Sequence, residues 1–181
     1  MEELRNKHAK SKNKCNLEYW INKYPEKSLE EVKELSLMVT DVTHNHPEGI
    51  KGAQATAAAI WMARNRKSKA EIKEYVETKY GYDLDRTWEY LNQRYGWKSS
   101  CQETVPEAII AFLESNSFED AIRKAVSMGG DSDTLACITG GIAEAYYRDI
   151  PEYMIEATQR VFPPIFHKIL DVMKSKTSYY K

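Results

Sequence analysis

The chain has 181 residues, 42% hydrophobic and 29% charged, a globular balance that excludes wholesale disorder. Its 26 basic and 27 acidic residues leave a formal net charge of -1, which excludes a strongly basic nucleic-acid or membrane-surface binder. Three cysteines (Cys15, Cys101, Cys137) without a CxxC pair exclude a disulfide framework and a thiolate zinc site, and the small share of 8 Gly and 6 Pro favours helices.

Residues 1–16 read as a charged arm carrying Arg5, Lys7, Lys10, Lys12 and Lys14, followed by one helical domain over 17–181. The arm has no apolar h-region, so it is not read as a signal peptide, and a reduced, cytoplasmic protein is expected. Ser28 is a good N-cap, with Glu30 and Glu31 in the first turn and Val32, Leu35, Val39 and Val42 drawing an apolar stripe to about Thr43. The next helix opens at Pro47, with Ala53, Ala57, Ile60 and Trp61 on one side. Its run Ala57 to Ala63 is the longest apolar stretch, seven residues against the ~20 that span a bilayer. Ser68 caps a helix with Ile72, Tyr75, Val76 and Lys79 that ends at Gly81.

Asp83 or Asp85 is expected to cap a segment holding Trp88 and Leu91, stopped at Gly96. Ser99 to Glu107 reads as polar and loop-like, and helical spacing is clear in Val105, Ala108, Ile109 and Phe112, from Thr104 to Leu113. Ser117 caps a piece with Phe118, Ala121, Ile122 and Ala125 on one face before Gly129-Gly130. Leu135, Ile138, Ile142, Ala145 and Tyr146 mark a further long stripe, and Pro151–Val161 and Ile165–Met173 close the chain. Eight or nine helices, no alternating strand pattern and no fixed repeat point to a single all-α domain whose helices cross at varied angles.

One stretch carries chemistry: Met128-Gly129-Gly130-Asp131-Ser132-Asp133-Thr134-Leu135. The glycines let the backbone turn sharply, and two carboxylates and two hydroxyls follow at the mouth of an apolar helix. Oxygen-only donors suit a hard cation such as Mg²⁺. Asp131 and Asp133 converge only if Asp131 is still in the loop while Asp133 is in the first turn. The alternative is a helix cap, with Asp131 or Ser132 capping and Asp133 complementing the dipole. A second cluster, Thr43-His44-Asn45-His46-Pro47-Glu48-Gly49, puts two histidines at a helix entrance, as cleft residues or as caps. Cys101 has no evident base partner, and Lys51 and Arg64 read as solvated rather than as phosphate clamps.

GGDSDTLACITGGIAEAYY resembles the C-terminal signature of the ADP-ribosylglycohydrolase family, which includes the dinitrogenase reductase-activating glycohydrolase. THNHPEGIKGAQATAAAIWMAR, GYDLDRTWEYLNQRYGW and SCQETVPEAIIAFLESNSFEDAIRKAVSMGGDSDT resemble the same family in the same order, so the likeness runs from about Ser28 to Val161. It implies an orthogonal all-α fold, two Mg²⁺ ions in a cleft that receives ADP-ribose, and cleavage of an ADP-ribosyl glycosidic bond. Carried over, Asp131, Asp133 and Thr134 are metal ligands, Gly129, Gly130 and Ser132 shape the loop along the substrate, and His44 and His46 lie near the cleft. The catalytic acid and base stay unassigned.

The family also carries an asparagine-glycine-serine stretch and a Thr/Ser-Asp-Asp triplet in its N-terminal half. No Asp-Asp pair occurs here, and Thr40-Asp41 is followed by Val42. The chain therefore resembles the C-terminal two thirds of the family domain, begun late. Two carboxylates carry -2 against the +4 of two Mg²⁺ ions, so at most one weakly held ion is expected unless another chain completes the cleft. The expected partners are an ADP-ribosylated protein or a small ADP-ribosyl substrate, with no membrane and no nucleic acid, and self-association or a partner chain covering the missing helices. A non-catalytic ADP-ribose-binding or protein-interaction homologue is the alternative to the enzyme.

Overall fold

The computed structural model describes residues 28–98 and 100–176, without the side chains of 173, 174 and 176; the arm expected over 1–16 lies outside the described residues. The chain divides into two compact units, residues 28–155, and residues 1–27 with 156–181. Among the described residues every regular element is a helix: α1 (Leu29–Thr40), α2 (Pro47–Arg64), α3 (Lys69–Tyr80), α4 (Trp88–Asn92), α5 (Cys101–Leu113), α6 (Phe118–Ser127), α7 (Ser132–Tyr147), α8 (Glu152–Val161) and α9 (Pro164–Lys176). None is long and apolar enough to cross a membrane. Where the second unit is described, the rings of Phe162 and Phe166 meet edge to face at 5.6 Å.

The helices begin where short polar side chains can satisfy open N–H groups. Ser28 and Ser68 each build a capping box, with Glu31 and Glu71 reaching back to the cap, and Ser117 caps α6. Lys67 and the Ser68 cap together hold the Glu71 carboxyl down at about 2. Gly81 ends α3 at φ 65°. We expect Ser68→Ala to cost about 1 kcal/mol of stability, measured by urea denaturation, because the Glu71 N–H loses its acceptor and the returning carboxylate loses the hydroxyl donor, keeping only the residue-68 N–H and Lys67.

Three helices run parallel through the core of the 28–155 unit. At one end Gly52 of α2 packs against Cys101 and Val105 in the opening turns of α5. At the other end the Tyr147 hydroxyl of α7 donates to the Ser115 carbonyl just past α5 at 2.6 Å, and Arg148 donates to the Arg64 carbonyl that closes α2, also at 2.6 Å. Midway, the buried Thr139 hydroxyl of α7 donates to the Ala108 carbonyl of α5 at 2.8 Å. Small residues permit this closeness: Ala55, Ala58 and Ala59 of α2, Ala108 and Ala111 of α5, and Gly140 and Ala143 of α7 are buried. Phe112, Ile109, Ile110, Leu135 and Ile142 fill the space between them. Lys69 holds its ammonium over the rings of Phe112, Tyr146 and Tyr147 and donates from it to Tyr147 Oη and the Ser115 carbonyl.

Several local expectations differ from the structure. The buried face of α2 is Gly52, Ala55, Ala58, Ala59, Met62 and Ala63 rather than the Ala53–Ala57–Ile60–Trp61 side, because neighbours on two sides select its smallest residues. The cap of α4 is Thr87, whose hydroxyl accepts from the Tyr90 N–H at 3.1 Å; Asp83 and Asp85 are instead engaged by Arg86 and Lys73. The segment read as loop from Cys101 to Glu107 is the first half of α5.

Candidate functional site

Parallel packing places the N-terminal ends of α2, α5 and α7 side by side. Each end carries unsatisfied N–H groups and a partial positive charge, so that end of the unit suits anionic and oxygen-rich groups. The Gly129–Asp131 turn lies there. Gly129 (φ 75°) and Gly130 (φ 61°) both take the left-handed conformation that glycine adopts without strain. Gly130 is further restricted, because a Cβ on it would stand 2.8 Å from the Gly96 carbonyl and 3.0 Å from the Tyr95 ring edge. We therefore expect Gly130→Ala to cost about 2 kcal/mol in urea unfolding, from left-handed strain and from displacement of the 95–96 turn together.

Asp131 occupies the N-cap position of α7, yet its side chain makes no capping hydrogen bond. Its carboxyl instead meets that of Asp133. A hydrogen bond with the Asp131 carboxyl, followed by the N–H groups of Thr134 and of Asp133 itself, holds the Asp133 carboxyl below the ordinary carboxylate range. Loop placement of Asp131 and first-turn placement of Asp133 thus bring two oxygen-bearing groups together, with Ser132 and Thr134 alongside. Asp131 and Ser132 are half-buried, while Asp133 and Thr134 are exposed.

Two carboxyl groups brought together at a helix start form an arrangement that a hard cation can occupy. The donor set is oxygen-only and carries -2, which fits a single hard divalent ion with water in its remaining positions. Among the described residues, no three His, Cys, Asp or Glu side chains gather to hold a metal ion.

The histidines sit at the entrance of α2. His46 is its N-cap, Nδ1 accepting from the Glu48 N–H at 3.2 Å, and His44 Nδ1 lies 2.8 Å from the Thr43 hydroxyl. Both rings are exposed. Lys51, one turn on, pairs with Glu48 at 3.4 Å and lies over the Tyr82 ring at 4.5 Å.

Sequence reasoning missed the buried support behind the turn. Glu107 of α5 is 2% exposed, and Arg86 Nη1 donates to its Oε1 at 2.7 Å while Oε2 has no partner. Burial pushes the Glu107 carboxyl up, against the opposing pull of Arg86. Tyr82 and Tyr95 are close enough for their phenols to feel that carboxylate. A signal for the start of α5 was present in the Ser100-x-x-Glu103 spacing, where the Ser100 hydroxyl donates to Glu103 Oε2 at 2.9 Å, but none marked Glu107 as buried.

Comparison with known proteins adds an independent observation. A family model described as ADP-ribosylglycohydrolase matches residues 20–178. An uncharacterized protein of Archaeoglobus fulgidus is 32% identical over 143 residues, covering 71% of this chain and 47% of that protein. ADP-ribosylhydrolase ARH3 of Homo sapiens is 26% identical over 165 residues, covering 66% of this chain and 46% of that protein. The Mus musculus ARH3 is also 26% identical, with 69% and 46% covered. The chain spans about half the length of the curated relatives it matches.

Proposed function

Because the chain belongs to the ADP-ribosylglycohydrolase family, we propose that it takes part in Mg²⁺-dependent hydrolysis of an ADP-ribosyl glycosidic bond, with the Asp131–Asp133 pair at the metal. The carrying observation is that these two carboxyl groups meet each other instead of capping α7. Asp131 and Asp133 would hold one Mg²⁺, with the hydroxyls of Ser132 and Thr134 beside it. The bound ion would supply orientation for the ribose hydroxyls and for the attacking water.

The chain's own groups account for the rest of this reading. The N-terminal ends of α2, α5 and α7 favour the anionic diphosphate of an ADP-ribosyl group. Positive charge developing at the anomeric carbon as the glycosidic bond breaks would be stabilised by the carboxylate oxygens of the pair. Water would add its oxygen to that carbon, and its proton would pass to the departing side-chain atom. Gly129, whose Cβ direction is open, keeps the turn free of a side chain where the sugar would approach, Gly130 lets the turn lie against Tyr95 and Gly96, and His44 and His46 would border the same end from α2.

The reading is tested by incubating the protein with ADP-ribosylated arginine or serine peptides, with and without Mg²⁺, and following release of ADP-ribose. Mg²⁺-dependent release supports hydrolysis. Binding of ADP-ribose with no release at any protein concentration supports the second reading, a non-catalytic ADP-ribose-binding homologue, which the small donor set favours. Neither release nor binding would contradict both.

A further inference from the structure

Buried polar atoms in folded proteins are almost always hydrogen-bonded, and where several unpaired ones share a neighbourhood, water between them is the usual reason. Glu107 Oε2, Tyr82 Oη and Tyr95 Oη are all buried and unpartnered, and the Glu107 carboxylate acts electrostatically on both phenols. Arg86 occupies only the other oxygen of Glu107, at 2.7 Å. The Thr104 hydroxyl approaches Tyr95 Oη without forming a well-aligned bond. Because Arg86 already offsets the charge of Glu107, the partner these atoms call for is a neutral one that both donates and accepts. Water does this: it accepts from a phenol and donates to Glu107 Oε2.

Tyr95 also has a second face. Its ring edge and the adjoining Gly96 carbonyl are the atoms that a Cβ on Gly130 would strike. Its phenol feels the Asp131 carboxylate as well as that of Glu107. The residue therefore stands between a buried carboxylate on α5 and the turn that carries Asp131.

We propose that Tyr95 is a positioning residue for Asp131: water bound between its hydroxyl and Glu107 Oε2 holds its ring against Gly130, and the ring in turn sets the Gly129–Asp131 turn. The functional consequence rests on the reading of Asp131 as a metal-holding carboxylate, whereas the positioning itself does not.

The test is amide hydrogen exchange on the full chain, comparing wild type with Tyr95→Phe, which keeps the ring and removes only the hydroxyl. The amides of Gly129 and Leu135, which bond to the carbonyls of Val126 and Asp131 on either side of the turn, should exchange about tenfold faster, the equivalent of one lost buried hydrogen bond, while those of residues 139–143 in α7 stay as in wild type. A uniform increase across the molecule, or no change at the turn, would overturn the proposal. So would a crystal structure with no water between Tyr95 Oη and Glu107 Oε2. Mn²⁺ binding followed by electron paramagnetic resonance separates the two claims. Weaker binding in Tyr95→Phe is the expected result, and equal affinity in the two proteins would overturn the link to the metal. Failure of wild type to bind Mn²⁺ would overturn the metal reading, leaving positioning to be judged on exchange alone.

Discussion

Asp133→Asn is expected to lower Mg²⁺-dependent release of ADP-ribose by at least about a hundredfold while leaving the fold intact. The substitution keeps the size and one carbonyl oxygen but removes a charge, so the pair falls from -2 to -1 and the attraction for a hard divalent ion falls with it. Stability should barely change, because Asp133 is exposed and lies at a helix start where asparagine is tolerated. Activity measured at rising Mg²⁺ checks the cause. Partial recovery at high Mg²⁺ indicates weakened metal binding, whereas wild-type activity in the variant would show that the pair has no part in the reaction.

Arg86→Ala is expected to produce the largest loss of stability, about 2–3 kcal/mol at neutral pH. The figure is placed below the range for a fully buried pair because Arg86 is 29% exposed, so part of its interaction is screened. Its removal leaves Glu107 buried with no counter-charge, and the carboxyl, already raised by burial, is raised further. For a carboxyl whose folded value lies above its ordinary 4.5, stability is greatest below the ordinary value and is lost as pH climbs through the folded one. The gap between Arg86→Ala and wild type should therefore be wide at pH 7 and narrow towards pH 4. Urea denaturation at the two pH values measures it, and Arg86→Ala/Glu107→Gln should recover part of the loss at pH 7.

Much of the architecture was legible because helix signals are local. Ser28, Ser68 and Ser117 announce their helices, and Gly81 ends one, through bonds made within a turn of the same residue. The all-helical class follows from such signals repeated along the chain. Burial was less legible, because it depends on which neighbours arrive: α2 hides its small Gly52–Ala55–Ala59 face, a choice made by α5 and α7. The start of α5 was hidden by its polar opening and by Pro106, which suggests a helix beginning nearer to itself. The polar composition of its surroundings concealed Glu107, a charged residue that nothing in its own segment marks as interior.

The candidate site was legible as a motif and not as a mount. Two glycines and two aspartates named the turn, but only tertiary contacts bring Tyr95 and Gly96 against Gly130. The meeting of the Asp131 and Asp133 carboxyls likewise depends on where the loop ends and the first turn of α7 begins.

Titration of the protein with Mg²⁺ by isothermal calorimetry, wild type beside Asp133→Asn and Asp131→Asn, tests the central claim most directly. One saturable site in wild type, weakened at least about tenfold by either substitution, is the expected result. Unchanged Mg²⁺ binding in both variants would place the ion elsewhere and contradict the account.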